Sequence, residues 1–401
     1  MRIGIFTDAY KPLISGVVTS VVTLKEGLEK EGHEVYIIAP SAPRHYKELD
    51  PKVLRLKGFI IPRRSLKGFR WIPLSRIFTK RVRDLKLDVI HIHTEFSAGD
   101  LGLHVGKKFK IPMVYTLHTS YQDYTHYISK FLTKFAPSLA KRGAFIINNR
   151  YTKNCQMTIV PTKKIYDKMI RLKHDGRFTV IPSGIDLKPF YKSSHDPKDV
   201  EALREKLGIK QGEFVAMVVA RVAKEKSLPD LVDGFIEFHK HYPNSRFIII
   251  GDGPDRPALE HHIDKLDARD FIQTTGFVKH EEVGIYYQVA DVFLNASTTE
   301  TQGLTYVEAL AASLPIIVRY DEVFDAFVTD GENGLFFNKT EELTELLIKV
   351  QEDKVLLEKL RKNAEASVIN YSQEQYAKNV TKLYEELIKE NNEKLALKNK
   401  K

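Results

Sequence analysis

The sequence predicts an α/β protein made of two Rossmann-like, doubly wound domains facing a central cleft. Three observations carry this reading. Short apolar runs of strand length alternate with longer amphipathic stretches along the whole chain, the pattern of repeated βαβ units around a parallel sheet. The runs fall into two series of similar spacing. Between the series lies a polar, proline-containing stretch, residues 188–200, suited to a linker.

In the first series the expected strands are residues 2–7, 34–39, 89–93, 113–117, 157–160 and 179–181. In the second they are 214–220, 246–251, 271–274, 292–295, 316–318 and 334–337, with helices between. Residues 1–190 are then an amino-terminal domain and 191–372 a second one. The last amphipathic segment, 373–401, follows Ser372 as N-cap and is expected to pack back toward the first domain.

Composition narrows the function. With 401 residues, 43% hydrophobic and 28% charged, the chain is of ordinary globular type, long enough for two or three domains. Its single cysteine, Cys155, can form no internal disulfide and no thiolate metal cage. No stretch approaches the roughly 18 to 20 apolar residues that span a bilayer, and Asp8 interrupts what would be a secretory signal, so the expected place is the cytoplasm. The overall charge of +10 hides a contrast: residues 1–190 carry +19 and residues 191–401 carry −9. One half therefore suits an anionic surface.

The most informative stretch is STTETQGLTYVEALAASLP, residues 297–315, directly after an expected strand. Leu304, Val307, Leu310, Ala311 and Leu314 fall on one helical stripe, so a helix opens near Gly303 and ends before Pro315. Its free amides form an anion site suited to phosphate. Glu300 and Glu308 would hold phosphate poorly, but an ionised carboxylate accepts hydrogen bonds from hydroxyls. Phosphate amides beside hydroxyl-binding carboxylates read as a nucleotide-sugar site. A surface helix with two solvated glutamates is the plain alternative for the string alone; its place beyond the carboxyl end of a strand favours the site. Arg221 and Lys226, in ARVAKEKS after another strand, could fork onto phosphate and add a point charge. Glycine-containing loops such as Gly251-Asp252-Gly253-Pro254 and Ile14-Ser15-Gly16-Val17 follow further strands, each readable also as a simple turn.

The motifs ARVAKEKS, GDGP, ETQGLTYVE, IPSGID, HIHTEF and YTLHTS, spread over almost the whole chain, resemble those of the retaining glycosyltransferases of family 4, which have the GT-B fold. The resemblance implies that Arg221 and Lys226 bind the donor diphosphate with the amides at Gly303 and Leu304. It assigns Glu308 to the ribose, Glu300 to the transferred hexose, and the backbone near Val278 to the base. Gly16 would let the amino-terminal loop approach the donor, and His118 would lie near the sugar. It implies a same-face substitution in which the leaving phosphate helps deprotonate the acceptor, with Asp123 or His126 as alternative helpers. It also implies a UDP-glucose donor substrate and no bound metal, since cationic and helix-end groups can stabilise the departing diphosphate. Ser15-Gly16 and Ser227 depart from the usual glycines of the family. His91 and His93 read as structural.

Residues 51–86 hold twelve Lys/Arg and one acidic residue, Asp84, interleaved with Phe59, Phe69, Trp71, Ile72, Leu74, Ile77 and Phe78. A second stretch, 127–142, is similar. This mixture suits an anionic membrane surface, where each cation contributes about 1 kcal/mol. Within the family the chain is most similar to bacterial diacylglycerol glucosyltransferases, through IGIFTDAYKPLISGVVTSV, YTLHTSYQDY and ETQGLTYVEA. The resemblance implies diacylglycerol as acceptor and a peripheral enzyme at the cytoplasmic face of the cell membrane, with residues 1–190 as the acceptor and membrane-binding domain and 191–372 as the nucleotide-sugar donor-binding domain. The alternatives are another sugar or lipid acceptor, an epimerase or hydrolase of similar fold, or single-stranded nucleic-acid binding by the basic half. Nucleic acid is not the expected partner, since no RNA-binding signature accompanies the charge, and the oligomeric state is unknown from sequence.

Overall fold

The computed structural model describes residues 1–13, 15–60, 69–118 and 137–399. The chain divides into two compact units: Met1–Ile185 with the segment from Gln373 onward, and Asp186–Ser372. Residues 186–190, assigned by sequence to the first domain, belong to the second. The reason is packing: Phe190 is buried with its ring 5.7 Å from that of Tyr287.

In the first unit, strands β1 (Arg2–Phe6), β2 (Glu34–Pro40), β3 (Val53–Leu56), β6 (Val89–Ile92), β7 (Met113–Thr116), β8 (Met157–Val160) and β9 (Phe178–Val180) form one sheet, ordered β3-β2-β1-β6-β7-β8-β9. All its pairings are parallel. A two-residue ribbon, β4 (Phe59–Ile60) with β5 (Arg70–Trp71), lies outside the sheet. The helices are α1 (Gly16–Lys30), α2 (Thr79–Arg83), α3 (Ser97–Phe109), α4 (Pro137–Asn154), α5 (Lys163–Arg171) and, from the far end of the chain, the C-terminal helix Gln373–Asn399. That last helix belongs here by backbone hydrogen bonding and apolar packing alike. Gln373 N–H donates to the Ile185 carbonyl at 2.9 Å, and Tyr376, Ala377, Val380, Tyr384 and Leu387 are buried in the same core as Val21, Leu24 and Leu28 of α1.

In the second unit, β10 (Phe214–Val219), β11 (Ser245–Ile250), β12 (Ile272–Gly276), β13 (Val292–Asn295), β14 (Ile316–Arg319) and β15 (Gly334–Phe337) are ordered β12-β11-β10-β13-β14-β15, again all parallel. Runs such as FVAMVV and SRFIII suit a sheet covered on both faces, because β-branched and apolar side chains pack on the two sides of a pleat. Their burial, at about 1.5–3 kcal/mol for each large side chain, is a principal stabilising contribution. The covering helices are α6 (Pro197–Lys206), α7 (Leu228–His241), α8 (Arg256–Lys265), α9 (His280–Tyr287), α10 (Leu304–Ala311), α11 (Thr340–Glu352) and α12 (Lys354–Ser367).

Both sheets reverse direction of winding once, between β1 and β6 and between β10 and β13. The loops leaving these neighbouring strands diverge to opposite faces and leave a crevice at their carboxyl ends, the usual ligand position in open α/β sheets.

Candidate active site

At the reversal point of the second unit, the loop after β10 carries Arg221 and Lys226, and the loop after β13 carries Glu300 and Gly303. The two loops are tied together. Thr298 N–H donates to the Glu225 carbonyl at 3.0 Å, and the Lys226 ammonium donates to Glu300 Oε1 at 2.6 Å. The pair is largely withdrawn from water, with side chains 20% and 10% exposed. The Tyr306 hydroxyl donates to the same Glu300 oxygen at 3.1 Å. Burial first, then the Glu300 charge, push the Tyr306 hydroxyl well above the usual tyrosine range, so it stays a donor.

Gly303 ends the loop in the left-handed region, φ +74, and a Cβ there would collide with the Tyr306 ring. Backbone conformation and aromatic packing thus both demand glycine at the start of α10. Ser227, at the junction into α7, is also left-handed, φ +45, which gives a physical reason for the family's usual glycine at this place. Gly251 and Gly253 have a packing reason of their own: a Cβ on either would strike the Ala220 or Val222 carbonyl. They let the β11 loop buttress the Arg221 loop, with Val222 N–H donating to the Asp252 carbonyl at 3.1 Å.

Glu308 is on α10, one turn after Leu304, and only 5% exposed. Its Oε2 accepts from the Tyr287 hydroxyl at 2.8 Å. Burial raises its carboxyl above the ordinary range, against the opposing influence of His280 and Tyr287. Val278 follows β12 in the loop that leads into α9, the helix that supplies Tyr287. The second unit therefore places Arg221, Lys226, Glu300 and Gly303 on the two loops flanking one reversal point, with Leu304 at the start of α10 and Glu308 one turn behind, while Val278 stands just past the edge strand β12.

In the first unit, Gly16 is the first residue of α1, capped by Ser15, whose hydroxyl accepts from Val18 N–H at 3.3 Å. A Cβ on Gly16 would meet nothing within 4 Å, so packing does not require a glycine there. Across the β1/β6 reversal, buried Asp8 accepts from Thr94 Oγ1 at 2.7 Å, Ser97 Oγ at 2.6 Å and Ala98 N–H at 3.0 Å. It caps the start of α3 from the loop after β1. His118, two residues past β7, has Nε2 2.8 Å from Nδ1 of His93, and burial pushes its imidazole down to about 4. Asp123 and His126 lie outside the described residues.

Sequence reasoning missed Tyr306, Tyr287 and the His93–His118 contact. Tyr306 was within reach, since it stands inside the ETQGLTYVE motif; Tyr287 and His93 meet their partners only through the fold. Among the described residues, no group of three or more His, Cys, Asp or Glu could hold a metal ion. The basic segment is also partly different from its sequence reading. Arg55 lies on the strand β3 and is engaged by Glu48 at 2.6 Å and the Pro40 carbonyl at 3.1 Å. By contrast Trp71, Leu74 and Ile77 are 54%, 79% and 69% exposed.

Known proteins bear on this arrangement. Residues 14–189 match the model of Glycosyltransferase Family 4, and residues 199–367 that of Glycosyl transferases group 1. The chain is 67% identical to an alpha-monoglucosyldiacylglycerol synthase of Acholeplasma laidlawii, over 98% of this chain and 99% of that protein. It is 34% identical to an alpha-monoglucosyldiacylglycerol synthase of Streptococcus pneumoniae, over 84% of this chain and 75% of that protein. Among solved structures, Anabaena Alr3699/HepE in complex with UDP and glucose aligns over 96% of this chain and 99% of its own with a TM-score of 0.73. At 18% identity that likeness bears on the fold alone. The paired family matches, the two synthases and the two parallel-sheet units make this chain a member of glycosyltransferase family 4, with the GT-B fold.

Proposed function

We propose that this glycosyltransferase moves glucose from UDP-glucose to the free hydroxyl of diacylglycerol, with retention, giving an α-linked monoglucosyl lipid. The observation that carries the reading is the gathering of two cations, two carboxylates and a helix start at the β10/β13 reversal. The two synthases named above support the choice of sugar and acceptor.

Arg221, Lys226 and the amides at Gly303 and Leu304 offset the charge that develops on the diphosphate as the sugar becomes oxocarbenium-like. Lys226 is paired with Glu300. An arriving diphosphate competes for that ammonium, and Glu300 turns to the sugar hydroxyls. Ribose hydroxyls take the place beside Glu308, where donated hydrogen bonds favour its ionised form. Gly16, where a side chain would meet nothing within 4 Å, and His118 serve transfer from the first unit. The leaving phosphate helps take the acceptor proton.

The acceptor is a lipid, so the enzyme works as a peripheral protein on anionic lipid, at the cytoplasmic face of the membrane. Support comes from the first unit. A cavity of about 330 Å³ is lined by Arg76, Lys107, Lys108, Arg150, His104, Asp100 and Leu103, and exposed Leu74 and Ile77 flank Arg76 in the chain. No described helix is long and apolar enough to cross a membrane.

The test is incubation of the pure protein with UDP-glucose and diacylglycerol in vesicles, with and without anionic lipid, scored by product mass and anomeric configuration. An α-linked hexosyl lipid that needs UDP-glucose supports the proposal. Transfer from GDP-mannose instead, or UDP release with no lipid product, overturns it.

A further inference from the structure

Three imidazoles line up in the first unit. His91 and His93 alternate on and just past β6, 0% and 1% exposed, with ring centroids 4.1 Å apart. His118 stacks on His93 at 5.1 Å. His91 has a hydroxyl at each nitrogen, Tyr384 of the C-terminal helix at Nδ1 and Thr116 at Nε2, both at 2.6 Å. It is therefore held in place without help from His93. The His93 ring touches His118 through Nδ1, while its Nε2 is buried with no partner among the described residues.

One proton occupies the 2.8 Å contact between His93 Nδ1 and His118 Nε2, since two bare nitrogens or two N–H groups would repel. If His118 were the donor, neutral His93 would carry its proton on Nε2, leaving a buried N–H with no acceptor among the described residues. If His93 is the donor, Nε2 is a bare lone pair. Orphaned buried N–H groups are rarer than under-satisfied acceptors. Resting on the proposed function for a role of His118 in transfer, we infer that His93 is a positioning residue: its Nδ1–H donates to His118 Nε2, holding the His118 ring in one orientation with its own proton on Nδ1. Burial disfavours charge on all three rings, which keeps His118 neutral and makes it a poor base at neutral pH.

The tautomer can be read without any substrate. In protein labelled with ¹⁵N-histidine, long-range ¹H–¹⁵N correlation at pH 7 identifies the His118 ring by its loss in His118→Gln. We expect Nδ1 to be its protonated nitrogen and Nε2 its bare one. A proton on Nε2 overturns the inference, and so does a charged ring. A second arm uses kinetics. His93→Phe fills the space but cannot donate, and lowers kcat/KM roughly three- to tenfold; His93→Asn places an amide N–H near the Nδ1 position and recovers most of it. If Phe outperforms Asn, His93 is a packing residue and the inference is wrong. Loss of all lipid transfer in the wild-type protein would sink the proposed reaction and leave the tautomer measurement standing.

Discussion

Glu300→Gln should tighten UDP binding while it cripples transfer. The Lys226 ammonium lies 2.6 Å from Glu300, with the two side chains 20% and 10% exposed. A diphosphate must draw that ammonium away from its carboxylate. Neutralising Glu300 removes the competitor, so UDP affinity rises roughly two- to tenfold. Lys226→Met acts oppositely. It removes a charge-assisted contact of about 1.5–3 kcal/mol, which weakens UDP roughly 10- to 150-fold. It also strands a nearly buried carboxylate that keeps the Tyr306 hydroxyl. Breaking a fully buried pair costs about 3–5 kcal/mol, and discounting for the part of Lys226 that water reaches leaves about 1–3 kcal/mol of lost stability. Pairing the two changes restores most of that loss, a coupling of about 1–2 kcal/mol. Calorimetric titration with UDP and chemical denaturation of the four proteins measure both quantities. Equal loss of UDP affinity in Glu300→Gln and Lys226→Met would refute the exchange of partners; zero coupling would refute the ion pair as a stabilising element.

Other expectations follow from single observations. Glu308→Gln lowers transfer at least tenfold yet raises thermal stability at neutral pH. Its wild-type carboxyl titrates above its unfolded range, so stability credited to the protonated form is complete below about pH 4.5 and is lost as pH rises through the folded value. Scanning Tm against pH checks that the gap between variant and wild type widens upward. Gly303→Ala, facing both the left-handed backbone and the Tyr306 ring, costs about 2–4 kcal/mol and abolishes donor binding, read by denaturation and UDP titration. Ser227→Gly trades relief of left-handed strain against chain entropy and stays within about 1 kcal/mol of wild type in the same assay. Tyr384→Ala, at a fully buried side chain, destabilises the first unit by about 3–5 kcal/mol, which hydrogen exchange localises to α1 and the C-terminal helix.

The strands were legible because a buried parallel strand is an uninterrupted apolar run. FVAMVV and SRFIII can hardly be read otherwise, and the loops that follow them inherit their positions at the strand ends. What stayed hidden was what depends on non-local geometry or on mixed patterns. VLRL forms an edge strand amid cations, where its short apolar signal is submerged, and Phe59–Ile60 and Arg70–Trp71 pair over too few residues to show a period. Asp8 looked like a mere interruption of a leader. It is a cap for a helix that begins some ninety residues later, a role no local pattern encodes. The same holds for the glycines. Gly251 and Gly303 are both glycines beyond strand ends, yet one accommodates a neighbouring carbonyl and the other an aromatic ring beside a helix start.

The candidate donor site carries electrostatic costs that folding alone does not explain. Glu308 sits where burial opposes its charge, held by one phenol. Glu300 and Lys226 have been taken largely out of water, which stabilises a fold no better than well-packed apolar side chains of similar volume would. Tyr287 and Tyr306 are buried with their hydroxyls turned to these two carboxylates. A sequence shaped only by stability would place carbon at these positions. The arrangement becomes economical once a ligand brings hydroxyls for the carboxylates and phosphate for the ammonium, because the desolvation has already been spent before the ligand arrives. Substitutions that make this site more apolar should therefore raise stability and lower transfer together, and one that improved both would break the link between the geometry and the reaction.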